Sequence, residues 1–120
     1  MMLNKKYNEL KLSKEKMYYI CHPLTTYGDE DINRLMEQDL VKEILDIQPG
    51  VGLVRPFEIL PEDVDESEAM GVCLKLLKMC DGIILMQNWE RSEGCREEVV
   101  QAVRDEQEIL VFENIVRSRG

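Results

Sequence analysis

Apolar residues along the chain fall into two patterns. Some form short unbroken runs, which predict buried strands. Others recur every three or four positions, which predicts amphipathic helices. The first run is Met17-Tyr18-Tyr19-Ile20-Cys21, stopped at His22-Pro23. A helix is predicted to open at Gly28-Asp29-Glu30-Asp31, with acids at its positive end. Ile32, Leu35, Met36, Leu40, Ile44 and Ile47 form its expected core stripe, with Glu37, Gln38, Lys42 and Glu43 on the surface. Pro49-Gly50 ends it. Val51 to Val54 is a second strand, stopped by Pro56 and followed by an acidic loop from Leu60 to Glu66. A helix from Ser67 to Cys80 is apolar on more than one face, as expected where it packs on both a sheet and a neighbour. Gly82 to Met86 is a third strand, Ser92 begins a helix running to Glu106, and Ile109 to Phe112 is a fourth strand before a short basic tail.

Strands and helices therefore alternate. Near-continuous apolar strands in that order imply a parallel sheet covered on both faces. Right-handed crossovers give an α/β fold, an open, doubly wound, flavodoxin-like arrangement in three layers, with four or five strands. The 120 residues suit one domain over residues 16–120, preceded by a polar, lysine-rich extension over residues 1–15.

Composition narrows the function classes. The net charge of −9 repels phosphate backbones, so no nucleic-acid partner is expected. No apolar run reaches membrane-spanning length and the N-terminus is too polar for a signal peptide, so no membrane partner is expected and the expected location is cytoplasmic. The four cysteines, Cys21, Cys73, Cys80 and Cys95, include no CxxC pair and no zinc-knuckle spacing. Reduced, buried thiols are expected, with no metal site and no cofactor.

In an open α/β sheet, ligands sit beyond the carboxyl ends of the strands. That rule selects His22 to Gly28, Arg55 to Glu58 and Gln87 to Gly94. Within the last segment, Ser92 can cap the following helix, Gly94 permits close backbone approach, and Trp89 offers a flat face to a base. At about 100° per residue, Cys95, Val99, Ala102 and Val103 share an apolar stripe. Glu97 falls opposite that stripe, while Glu98 falls at its edge beneath the expected crevice. Burial there raises a carboxyl pKa and a helix N-terminus lowers it.

Three segments together resemble one known group. Tyr19-Ile20-Cys21-His22-Pro23-Leu24 is similar to its first-strand motif. Met70 to Asp81 is similar to the helix leading into its third strand. Trp89-Glu90-Arg91-Ser92-Glu93-Gly94-Cys95-Arg96-Glu97-Glu98 is similar to its tryptophan-glutamate-x-serine-x-glycine signature with a later glutamate. The group is the nucleoside 2-deoxyribosyltransferase-like superfamily, which includes deoxynucleoside 5′-monophosphate N-glycosidases, and the resemblance covers residues 17–112. It implies retaining chemistry with Glu98 as the nucleophile and Tyr19 supporting it. It implies a substrate site including His22, Pro23, Asn88, Trp89, Ser92 and Gly94, with Trp89 bounding the base pocket. It further implies a nucleoside or nucleotide ligand and a homo-oligomer, because relatives often complete each site from a neighbouring subunit. At one position the chain departs from the pattern: relatives carry an aspartate where Cys73 stands.

Two principal functions follow. One is a 2-deoxyribosyltransferase or N-glycosidase. The other, suggested by Cys73, is a nucleotide- or nucleoside-binding module without turnover. An assembly partner using only the scaffold is a third. Arg55, Arg91 and Arg96 near the crevice are the candidate contacts for a 5′-phosphate.

Overall fold

A computed structural model of the chain describes residues 12–23, 30–60 and 64–117. Residues 1–11 of the polar extension, 24–29 of the first crevice segment and 61–63 of the acidic loop lie outside the described residues. Strand β1 (Met17–Cys21) sits inside the sheet because its side chains are apolar on both faces. It pairs in parallel with β2 (Gly52–Val54) on one side and β3 (Gly82–Leu85) on the other. Strand β4 (Glu108–Val111) pairs in parallel with β3. The order β2-β1-β3-β4 is the open, doubly wound, flavodoxin-like one. The chain leaves β1 for one neighbour and later returns to the other, so the topological switch lies between β1 and β3.

Alternation along β1 divides the core. Tyr18 and Ile20 point to one face, where they meet Val41 and Ile44 of α1 (Glu30–Ile47) and Ile115 of α5 (Phe112–Arg117). Tyr19 and Cys21 point to the other. There they meet Cys73 and Leu77 of α3 (Glu66–Lys78) and Cys95 and Ala102 of α4 (Glu93–Arg104). The four cysteines are free and buried. No helix among the described residues is long and apolar enough to cross a membrane.

Three elements differ from the pattern-based expectation. Helix α1 differs in its first half: Ile32, Leu35 and Met36 are exposed and Asn33 and Glu37 are buried, while Leu40, Ile44 and Ile47 pack on the core as expected, with Val41 buried beside them. An apolar count overlooks polar residues that burial tolerates through pairing, and Glu37 pairs with Arg55. Pro56 stops β2 but also opens a short helix α2 (Pro56–Ile59), since its fixed φ suits a first helical position. Phe112 begins α5 rather than ending β4, and the segment expected as a basic tail continues that helix and packs Ile115 into the core beside Phe112.

Candidate functional site

The site grows from two elements that meet at the switch point. Tyr19 and Cys21 lie two residues apart on β1, so their side chains share a face. After β3 the chain turns through Asn88, whose left-handed φ of 65° suits asparagine, into a 3-10 turn over Trp89–Arg91. Ser92 then caps α4, its Oγ accepting from the Cys95 backbone N–H at 3.2 Å. That cap fixes the first turn, and Glu98 follows one turn later on the buried side. Glu97, its neighbour, is exposed, and so is Val103, which the stripe had included.

Glu98 is 6% exposed yet lies among donors. The Tyr19 hydroxyl donates to Glu98 Oε2. The Cys21 thiol donates to Oε1 at 3.4 Å. These bonds offset part of the penalty of burying a carboxylate. Burial dominates, however, and raises the Glu98 carboxyl from 4.5 to about 7, against the lowering effects of Tyr19 and Cys21. Exposed Glu97 adds a small upward push. Burial also raises the Tyr19 hydroxyl, with the charge of Glu98 and the neighbouring Cys73 thiol adding to it. Tyr19 thus stays protonated and remains a donor. The Cys21 and Cys73 thiols are likewise raised, chiefly by burial. The result is a carboxyl group poised near neutrality and held by a phenol and a thiol, with Cys73 behind the phenol.

The other candidate residues have distinct places. His22 is buried directly after β1, and its Nδ1–H donates to the Pro23 carbonyl at 2.7 Å. Burial lowers its pKa, so the ring is held neutral. Pro23 is buried beside it. Asn88 and Trp89 line a cavity of about 480 Å³ at the carboxyl ends of β3 and β4, with Gln87, Glu90 and Glu113. Glu98, Tyr19 and Ser92 do not line that cavity, and of the residues that do, Trp89 also packs in the apolar cluster that holds Tyr19 and Cys21. At Gly94 the close approach is to another helix: a Cβ there would stand 3.0 Å from Met70 Cε of α3. Glycine at this position thus lets α3 and α4 approach closely.

The arginines near the crevice are already engaged. Arg55 donates to Glu37 and Glu58. Arg96 donates to the Glu90 carbonyl at 2.9 Å. Cys21 and Cys95 are residues around Glu98 that the sequence pattern marks only as core packing, while Cys73, also there, is singled out only through the resemblance. Each lies on a different element, so no local spacing motif could have grouped them.

A family model described as a domain of unknown function (DUF4406) matches residues 16–112, and the chain belongs to that family. No curated protein matches the chain.

Proposed function

We propose that this DUF4406 chain cleaves the base–sugar bond of 2′-deoxynucleosides through a glycosyl-enzyme on Glu98. The observation that carries the reading is the buried Glu98 carboxyl, held by Tyr19 and Cys21 at the switch point and raised to about 7. A nucleophilic carboxylate must be ionised near neutrality, desolvated, and fixed in direction. Glu98 meets these demands at and above its pKa, and its Tyr19 bond fixes its orientation.

In this reading Glu98 attacks C1′ and the base departs with the electrons of the glycosidic bond, taking its proton from water. The sugar is then an ester of Glu98. A second base, or water, attacks C1′ and returns the free carboxylate, with retention. Trp89, which lines the cavity beyond β3, would stack the base. A substrate without a 5′-phosphate is favoured, since Arg55 and Arg96 are engaged and Glu90 and Glu113 line the cavity. The reading includes a homo-oligomer in which a neighbouring copy completes the site.

Cys73 supports a second reading, ligand binding without turnover. It stands beside Tyr19 where relatives of the resembled superfamily carry a carboxylate. Incubation with 2′-deoxynucleosides and their 5′-monophosphates, with and without an acceptor base, separates the two. Chromatography is expected to show base release from the nucleosides, lost by about 1,000-fold or more in Glu98→Ala, a loss typical of removing a covalent nucleophile. Full activity in Glu98→Ala would sink the assignment. Nucleoside-dependent thermal stabilisation with no free base would favour the binding module.

A further inference from the structure

We propose that Cys21, Cys95 and Glu98 form a binding site for one thiophilic divalent cation of the zinc class. The Cys21 thiol, the Cys95 thiol and a Glu98 carboxylate oxygen all lie within 4.8 Å of one another. All three residues are buried. Cys95 and Glu98 stand three residues apart on α4 and so share a face. Cys21 enters from the end of β1. Around tetrahedral zinc, bond lengths of about 2.3 Å to sulfur and about 2.1 Å to oxygen set the donor atoms roughly 3.6–3.8 Å apart. The Cys21 Sγ to Glu98 Oε1 separation of 3.4 Å is already close to that edge. The remaining edges lie within 4.8 Å, and a bound ion would draw their sulfurs inward.

The surroundings suit a cation in three further respects. Tyr19 donates to Glu98 Oε2, which leaves Oε1 to the Cys21 sulfur. An outer hydrogen bond of this kind orients a metal-binding carboxylate. Ser92 fixes the backbone of Cys95 through its cap. Among the described residues, no lysine or arginine forms an ion pair with Glu98. Two thiolates and a carboxylate are a donor set for zinc or cadmium rather than magnesium or calcium, which prefer oxygen. Three protein ligands leave the fourth tetrahedral position to water.

Binding releases the protons of both thiols, and that of Glu98 where it is held, so affinity rises with pH. It also engages the carboxylate proposed as nucleophile. The bound ion and base cleavage thus exclude each other, and zinc becomes an inhibitor of the site. The cation site itself stands independently of the glycosidase reading.

The test uses the full chain, reduced, stripped with a chelator and desalted. Titration with Cd²⁺ and Co²⁺ is expected to produce sulfur-to-metal charge-transfer absorption that saturates at one equivalent. Cys21→Ser and Cys95→Ser are each expected to weaken binding by at least tenfold, while Cys80→Ser leaves it unchanged. Absence of the band, or a band that survives both substitutions, overturns the site. Should Cys21→Ser fail to fold, Cys95→Ser and the stoichiometry of the unaltered chain decide the matter. Base release measured in chelating buffer reads the glycosidase separately. Saturating Zn²⁺ that leaves base release intact overturns the exclusion.

Discussion

Burial and hydrogen bonding act on Glu98 in opposite directions, and burial is the larger effect. Because its folded pKa is raised from 4.5 to about 7, the folded state holds this proton more tightly than the unfolded chain does. The resulting stability is fully present below 4.5 and is lost as pH rises through about 7. Over that window the loss amounts to about 3 kcal/mol, from roughly 1.4 kcal/mol per pKa unit. Glu98→Gln cannot ionise, so urea denaturation at mildly acidic and mildly alkaline pH is expected to show the variant gaining about that much on the natural chain. Equal pH dependence in both proteins would show that burial does not raise this carboxyl. Tyr19 has its own signature. Its hydroxyl lowers the Glu98 pKa, so Tyr19→Phe is expected to move the rising limb of base release to higher pH. A merely structural role for Tyr19 would lower the rate and leave the limb where it was.

At the scale of elements, two glycines contrast close packing with open space. Gly82 starts β3 opposite Tyr18, and a Cβ there would stand 2.8 Å from the Glu108 carbonyl oxygen and 3.0 Å from Tyr18 Cδ1. Gly82→Ala is expected to destabilise the fold by about 2 kcal/mol through overpacking against backbone. Gly71 lies within α3 with nothing inside 4 Å of an added Cβ. Gly71→Ala is therefore expected to stabilise by about 0.5–1 kcal/mol, by helix propensity and a less flexible unfolded chain. Thermal melts of the pair check both signs. Elements were legible wherever the apolar pattern was locally decisive. Unbroken runs located β1 and β3, and Ser92 located the start of α4. The pattern misled where a tertiary partner decided the outcome. Glu37 is buried because Arg55 reaches it from the end of β2, eighteen residues away. Phe112 and Ile115 form a helical face that has value only against α1 and β1.

At the scale of the whole molecule, strand order places the chemistry. Alternating strands and helices implied the parallel sheet, and the sheet implied a crevice at its carboxyl edge. Helical phase then separated Glu98 from Glu97. The sulfur environment of Glu98 was not legible, because Cys21, Cys73 and Cys95 are brought together only by the packing of β1, α3 and α4. The contact between Gly94 and Met70 was likewise hidden, because Met70 lies on another helix. The proposed mechanism requires that a sugar become covalently attached to Glu98 during turnover. Its most direct test is acid-quenched mass spectrometry of the protein during incubation with a 2′-deoxynucleoside, followed by peptide mapping. The expected result is a single added deoxyribosyl group on the peptide containing Glu98, absent in Glu98→Gln. Base release at steady state with no adduct on that peptide, or with the adduct on another residue, would contradict the claim.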